Sequence, residues 1–212
     1  TEVSEATRTA TFTPGRDAAR KEASKLNVPR IGVRFRLPAS MNQVEYFGRG
    51  PAENYLDRNA GSMVGLYKST AEELYFPYVR PQENGHHTDT RWVSLSTGKK
   101  GLLIQADNTI GFNALRNSIE DFDDEEATGL PRQWSNFTPE QVANHDEAAA
   151  KNVLRRQHHI NNITPRDFVE VCVDLKQQGV AGYDSWGSRP EPAYTLPANR
   201  EYNWGFTLIP LK

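Results

Sequence analysis

The sequence has little of several features that mark common functional classes. Cys172 is the single cysteine among 212 residues, which excludes an internal disulfide and a thiolate metal cluster. No apolar run approaches the roughly 20 residues that span a bilayer, and Thr1 opens no charged-then-apolar signal segment. A formal net charge of −2 gives no electrostatic basis for binding nucleic acid or an anionic membrane. We therefore expect a water-soluble globular protein without nucleic-acid or membrane partners.

The local motifs of nucleophilic and nucleotide-dependent catalysis are also missing. The sequence contains no G-x-S-x-G elbow, in which a serine nucleophile would sit on a sharp turn between strand and helix. Gly48-x-Gly50 is followed directly by Pro51, whereas a dinucleotide-binding loop must open a helix.

The histidines and the acidic run do not have the spacing of a metal site. The pairs His86-His87 and His158-His159 are adjacent in sequence, so their side chains diverge in a strand and do not share a helix face. The run 121–126 is acidic but lacks the alternating oxygen ligands and the glycine of an EF-hand loop. We expect neither zinc nor calcium here, and a solvated charged loop at 121–126.

Acidic side chains in the predicted loops are the remaining candidates for catalysis. Sugar hydrolysis needs two carboxyl groups about 5–10 Å apart, one of them with a raised pKa. A neighbouring arginine lowers a carboxyl pKa and makes a poor general acid, so we interpret these acids as partners in structural ion pairs. The acids are Glu53, Asp57, Glu83 and Asp89, and the interleaved arginines are Arg49, Arg58, Arg80 and Arg91.

Alternation of apolar and polar residues, with a period of two, dominates what the sequence does contain. This period is typical of strands, and it predicts them in 31–38, 167–177 and 202–211. Two shorter strands, in 91–97 and 101–106, are joined by the hairpin-type connection TGKKG.

The alternation predicts one dry and one wet face in the first two of these strands. The apolar faces are formed by Ile31, Val33, Phe35 and Leu37, and by Val169, Val171, Val173 and Leu175. The opposite face of the second strand carries Glu170, Cys172 and Asp174.

Helix signals are confined to one region. Thr138-Pro139-Glu140-Gln141 matches a capping box with proline at the first helical position, which predicts one or two short helices between Thr138 and Arg156. Loops are predicted at 53–60, 76–90 and 182–196. With no repeat and no low-complexity linker, the class is all-β, a large antiparallel sandwich forming one domain.

Three stretches resemble a known family in order and spacing. VEYFGRGPAENYLDR (44–58), YFPYVRPQENGHHTDTRWVSL (75–95) and VEVCVDLKQQGVAGYDSWG (169–187) are similar to the C-terminal, small-chain domain of the bacterial β-galactosidases of glycoside hydrolase family 2. The resemblance implies a partial super-sandwich of the galactose-mutarotase-like kind. It also implies that 1–212 is a fragment of a larger retaining glycosidase, without the domain's upstream strands and without the catalytic glutamates, which lie on a barrel domain.

The resemblance implies that Trp186 is the aromatic residue that this domain lends to the mouth of the active site. Asp184 and Ser185, beside it, are expected to contact the substrate. An indole covers the C–H face of a pyranose ring while the hydroxyls stay available for hydrogen bonds, a platform worth roughly 1–3 kcal/mol by analogy with base stacking. Gly182 and Gly187 are expected to shape the turns around it.

Other residues that match the family motifs are expected to have mainly structural roles. They would pin loops through charge-assisted hydrogen bonds, although Glu83 and His86 are also candidates for a direct sugar contact. The structural residues are Glu53, Asn54, Tyr55, Arg58, Glu83, Asn84 and Arg91.

The implied partners are the barrel domain of the same polypeptide, a galactoside substrate and further copies of the chain. No cofactor is expected in this domain, because the family's metal ions bind mainly to the barrel. Two other functions remain open, a non-catalytic carbohydrate-binding module and a mutarotase-like epimerase acting through His86 and Glu83. A bacterial cytoplasm and a periplasm are both compatible with the sequence.

Overall fold

The computed structural model describes residues 27–122, 160–184 and 187–212, and their regular structure is almost entirely antiparallel sheet. The strands are β1 (Arg30–Pro38), β2 (Gln43–Gly50), β3 (Met63–Thr70), β4 (His87–Ser96), β5 (Gly101–Leu115), β6 (Phe168–Gln177) and β7 (Phe206–Leu211). Short 3₁₀ helices cover Ile119–Asp121, Ile160–Asn162 and Pro192–Tyr194. The all-β class is confirmed, while the predicted helices at 138–156 lie outside the described residues.

The seven strands form one sheet, in which six follow the order β1-β6-β5-β4-β2-β3 and β7 pairs with β5 beside this path. The long strand β5 pairs with β4 along one edge. Its other edge pairs with β7 through 101–106 and with β6 through 111–115. Among the described residues, no helix has the length and apolar character needed to cross a membrane.

The contacts divide the chain into two units. The first comprises Thr1–Phe76, Asn84–Arg116 and Arg166–Lys212, and its described part contains the whole sheet. The second comprises Pro77–Glu83 and Asn117–Pro165. In the described part of the second unit, Asn117 Nδ2 donates to Thr164 O at 2.8 Å, and Ile160 N donates to Val79 O at 3.3 Å.

Apolar side chains line up across the strands to form the core of the first unit. Tyr46, Val93 and Ile104 are register partners on β2, β4 and β5, and all three are buried. Phe112 and Val173 continue this layer across β5 and β6. Of the alternating residues from which strands were predicted, Val169, Val171 and Val173 of β6 are buried, whereas the apolar face of the edge strand β1 is only half-buried.

The predicted strand boundaries were wrong in three places. β4 already begins at His87, within the predicted loop 76–90, and β5 continues to Leu115 rather than ending at Ala106. β7 begins at Phe206, later than the predicted Tyr202. The connection between β4 and β5 closes as predicted, with Thr97 N donating to Lys100 O at 2.9 Å.

The predicted wet face of β6 was also wrong. Its apolar face is buried as expected, but Glu170, Cys172 and Asp174 on the other face are buried too. The reason is that β6 lies between β1 and β5, and β1 brings arginines over these acids. Arg36 Nε contacts Glu170 Oε2 at 3.0 Å, and Arg30 Nε contacts Asp174 Oδ2 at 3.1 Å.

Candidate functional site

Within the first unit, parts of the three stretches singled out in the sequence meet, at 53–58, 85–88 and 180–181. The first provides a tight turn at 55–58, closed by Tyr55 N donating to Arg58 O at 3.3 Å and Arg58 N donating to Tyr55 O at 2.8 Å. Side chains from this turn and from the two residues before it reach both other stretches. We call 53–58 the hub.

Asn54 joins the hub to the start of β4. Its side chain is fully buried, and its Oδ1 accepts from Thr88 N at 2.9 Å and from Thr88 Oγ1 at 2.6 Å. Its Nδ2 donates to Arg49 O and Ala52 O, both at 3.1 Å, and its backbone N donates to His86 O at 2.7 Å. The buried side-chain amide of Asn54 thus holds the hub in place. Breaking any of its hydrogen bonds would leave a buried polar group without a partner and without access to water.

Glu53 makes a second connection to the same segment. Its Oε2 accepts from Gly85 N at 2.6 Å, and its Oε1 accepts from Arg58 Nη2 at 2.7 Å. The Arg58 guanidinium also lies 5.2 Å from the centre of the Tyr55 ring. The predicted loop-pinning role of these residues is confirmed.

Asp57 connects the hub to the third stretch. Its Oδ1 accepts from Val180 N at 3.1 Å and its Oδ2 accepts from Ala181 N at 2.7 Å. The ion-pair interpretation was right for Glu53 with Arg58 and for Asp89 with Arg49. It was wrong for Asp57, whose carboxylate binds backbone amides instead.

The described residues that follow, 182–184 and 187–188, are joined by hydrogen bonds to their own side chains. Ser188 Oγ accepts from Gly182 N at 3.2 Å and from Tyr183 N at 3.1 Å. Asp184 Oδ1 accepts from Ser188 N at 3.3 Å. Gly182 and Gly187 have φ values of 86° and 83°, so the prediction that these glycines shape the turns is confirmed.

The predicted substrate-contacting residues differ in what the structure shows of them. Ser185 and Trp186 lie outside the described residues, and their roles stay predictions. Asp184 and Gly187, on either side of them, are both exposed. Glu83 is half-buried and belongs to the second unit.

His86 is buried below the hub. Its ring stacks on Tyr55 with centroids 5.5 Å apart, and its Nδ1 is 2.8 Å from Asn113 Oδ1. Burial, and then the positive charge of Arg30, lower its pKa to about 3. The residue is only 1% exposed, and a sugar contact by His86 stays a prediction.

His86 contacts a buried polar cluster that was not predicted from the sequence. Arg30 Nη2 donates to Asn113 Oδ1 at 2.7 Å and also to Gln177 Oε1, and the ion pair of Arg30 with Asp174 completes the cluster. Its signal in the sequence was the row of arginines on the polar face of β1, opposite the acids of β6. Reading that signal requires the pairing of β1 with β6.

Metal binding has no candidate among the described residues, where no three histidine, cysteine, aspartate or glutamate side chains converge as a metal site would require. The expectation that this domain uses no cofactor stays a prediction. What the hub can do chemically is fix the backbone of an exposed loop.

Comparison with known proteins identifies relatives over nearly the whole chain. The family model described as β-galactosidase small chain matches residues 3–208. A β-galactosidase of Priestia megaterium is 35% identical over 87% of this chain and 15% of its own length. One from an Arthrobacter species is 40% identical over 50% of this chain and 11% of its own, and one from Vibrio cholerae is 29% identical over 85% and 14%. The chain therefore spans about one seventh of the length of these curated relatives.

Proposed function

Because the chain belongs to the β-galactosidase small-chain family, we propose that it is the C-terminal domain of an enzyme that hydrolyses terminal β-D-galactosides with retention of configuration. We call that full-length enzyme the parent enzyme. In this proposal the catalytic carboxylates lie on a barrel domain of the same polypeptide. This domain completes the mouth of the active site and is inactive alone.

The anchoring of the described residues 179–184, which precede Trp186 in the sequence, is the observation that carries the proposal. An aromatic residue contributes most to binding when its place is fixed before the ligand arrives, because ordering it later costs free energy. Upstream of Trp186, the backbone at Val180 and Ala181 is tied to the hub through Asp57, and Ser188 Oγ accepts from Gly182 N and Tyr183 N. Both described flanks of Trp186 are exposed, as a residue that meets a substrate requires.

The proposed chemistry of the loop divides between its aromatic and polar residues. The indole of Trp186 covers the C–H face of the galactose ring and contributes roughly 1–3 kcal/mol, by analogy with bases stacked on aromatic side chains. Asp184 and Ser185 are assigned to the sugar hydroxyls. Stacking on the aromatic face is non-directional, so the polar neighbours fix the orientation of the sugar.

The acidic residues of the loops are already used within the fold. Glu53 binds Gly85 N and Arg58, Asp57 binds two amides of the third stretch, and Asp89 pairs with Arg49. These contacts support a structural role for each of them. They fit a domain that relies on carboxylates elsewhere in the polypeptide.

We predict that the isolated chain does not hydrolyse a chromogenic β-galactoside. The parent enzyme, assayed under the same conditions at equal molar concentration, provides the positive control. Release of the chromophore by the isolated chain at a rate comparable to the parent enzyme would show that the catalytic carboxylates are within these 212 residues.

A carbohydrate-binding module is the second candidate, and one observation favours it. Tyr183 is 58% exposed and Tyr194 is 38% exposed, so this region presents aromatic surface without help from another domain. Calorimetric titration of the isolated chain with a galactan separates the two functions, since the module must bind the polymer alone. The burial of His86 gives the epimerase alternative no support.

A further inference from the structure

We propose that Asn84 is a latent deamidation site, which the fold keeps inert by holding the peptide group between Asn84 and Gly85. These two residues form the single Asn-Gly pair of the sequence. Asparagine is among the thermally labile residues, and it is most labile before glycine, which has no side chain to hinder an attack by its backbone nitrogen. The inference goes beyond the function proposed above and does not rest on it.

The reaction takes place within this pair of residues. The backbone nitrogen of Gly85 loses its proton and forms a bond to Cγ of Asn84, while the bond from Cγ to Nδ2 breaks and ammonia leaves with that proton. Water then opens the cyclic imide at either of its carbonyl groups, which gives an aspartate or an isoaspartate with one new carboxylate. The attack requires a conformation that brings the nitrogen of Gly85 against Cγ.

Both polar atoms of the peptide group that would have to turn are bound to buried side chains. Gly85 N donates to Glu53 Oε2 at 2.6 Å, and Asn84 O accepts from Asn113 Nδ2 at 2.8 Å. The side chain of Glu53 is 6% exposed, and Asn113 is buried. Because the peptide group is planar, its N–H and C=O turn together, so a rotation toward Cγ would break both hydrogen bonds in a buried place.

The carboxylate of Glu53 also opposes the chemical step. Gly85 N becomes negative as it loses its proton, and a carboxylate oxygen 2.6 Å away disfavours a second negative charge. Arg58 Nη2 donates to the other oxygen of Glu53 at 2.7 Å and keeps the carboxylate in place. Glu53 thus protects Asn84 both by position and by charge.

The side chain of Asn84 is held as well. Asn84 is buried, and its Oδ1 accepts from Phe76 N at 3.2 Å. The attacked carbon is bonded to this oxygen, so it can move toward Gly85 N only if the bond to Phe76 is given up. Both partners of the reaction are therefore fixed in the folded chain.

The fold cannot avoid the labile pair by using another residue in place of the glycine. Gly85 has a φ of 70°, in the left-handed region that favours glycine. A Cβ atom at this position would lie 2.8 Å from Leu115 Cδ2 and 2.8 Å from Leu74 O. The segment needs glycine at 85, and protection by Glu53 and Asn113 makes the preceding asparagine tolerable.

Conversion of Asn84 would damage the contacts between this segment and the hub. Either product would add a second negative charge to the buried surroundings of Glu53. An isoaspartate would also lengthen the backbone just before 85–88, which Asn54 ties to the hub. We therefore expect the converted chain to unfold at a lower temperature.

The experiment follows the conversion of Asn84 in the full chain by peptide mapping with mass spectrometry. Mildly alkaline pH is used, because the attacking nitrogen must first lose its proton. Glu53→Ala removes both the hydrogen bond and the charge, whereas Glu53→Gln keeps an acceptor and removes only the charge. Arg58→Ala is the matched control, since it breaks the ion pair of Glu53 and leaves the bond to Gly85 N.

We expect conversion to be roughly tenfold to a hundredfold faster in Glu53→Ala than in the wild type, because a hydrogen bond to a charged group stabilises the closed state by about that factor. A smaller rise is expected in Glu53→Gln and little change in Arg58→Ala. The wild-type chain unfolded in guanidinium chloride gives the unprotected rate, which should exceed the rate of the folded chain.

Equal rates for the folded and the unfolded wild type overturn the proposal, and so do wild-type rates in both Glu53 variants. An equal rise in Arg58→Ala and Glu53→Ala also overturns it, since protection would then come from the general stability of the hub. If the thermal transition shows that Glu53→Ala does not fold, Glu53→Gln decides, and a wild-type rate in that variant overturns the role of Glu53.

Discussion

His86 is a base kept neutral inside a charged cluster. Its ring lies between Tyr55 and Asn113, and Asp174 Oδ2 is 3.9 Å from its Nδ1. The acid of Asp174 is already paired with Arg30, so the ring gains little from it. Burial and the Arg30 charge together lower the pKa to about 3, and the neighbouring His87 has a lowered pKa for the same first reason, burial.

The lowered pKa of His86 predicts that the fold loses stability in mild acid. The pKa of His86 is about 3 in the folded state against 6.5 for the ordinary side chain, so the unfolded chain takes up the proton first as pH falls. The contribution of His86 to the free energy of unfolding is complete above pH 6.5. It is lost between pH 6.5 and 3, by at most about 1.4 kcal/mol for each pH unit. Urea unfolding at pH 7.5 and pH 5.0 measures this loss.

His86→Phe is the matched variant, because it keeps an aromatic ring against Tyr55 and removes the titrating group. We expect its free energy of unfolding to fall less between the two pH values than that of the wild type. Equal losses in the two proteins would assign the acid sensitivity to other groups, such as His87 or the carboxylates, and refute this account of His86.

At the scale of the elements, glycines allow β1, β5 and β6 to enclose the polar cluster. A Cβ at Gly111 in β5 would lie 2.5 Å from His86 Cε1, and one at Gly32 in β1 would lie 2.0 Å from Asp174 Oδ1. Both neighbours are buried side chains fixed by their own contacts, so they have little room to move. The strands therefore approach at these points because no side chain stands between them.

We predict that Gly111→Ala destabilises the fold by about 1–3 kcal/mol, the usual cost of overpacking a filled core. The control is Gly61→Ala, where an added Cβ meets nothing within 4 Å and the backbone is not left-handed. Its free energy of unfolding should stay close to the wild type or rise slightly. Equal changes in the free energy of unfolding for the two substitutions, measured by chemical denaturation, would show that the His86 side chain moves aside at little cost.

Five of the seven strands could be predicted because alternation is a local signal, whereas β2 and β3 were not predicted. Alternation failed for the polar face of β6, since what covers Glu170 and Asp174 comes from β1, more than 130 residues away. The end of β5 was missed because Asp107-Asn108-Thr109 interrupts the alternation, while the strand continues through a register shift.

The hub shows the same limit in the candidate site. Its stretches could be singled out by resemblance, and the pinning roles of Glu53 and Asn54 follow from residue type. The hydrogen bonds from Val180 N and Ala181 N to Asp57 join residues 123 and 124 positions apart, so no local pattern reveals them. Arginines near Asp57 in sequence pointed to an ion pair, whereas the folded chain brings amides to it.

At the scale of the whole molecule, the chain matches one part of relatives that are several times longer. It spans about 15% of its Priestia megaterium relative. Met63 and Leu66 on the end strand β3 are strongly exposed, and in the parent enzyme that we propose, this apolar surface would face the rest of the polypeptide. The proposed site would then be completed by walls that this chain does not contain.

The central claim is that Trp186 supplies an aromatic face to the galactose ring, and the KM values of Trp186→Phe and Trp186→Leu in the parent enzyme test it most directly. The two substitutions differ mainly in whether a flat aromatic face remains. We predict that Phe keeps KM within a few-fold of the wild type, while Leu raises it by roughly five- to a hundredfold, in line with the 1–3 kcal/mol of a stacking contact. Equal KM values for Phe and Leu, or a wild-type KM for Leu, would contradict the claim.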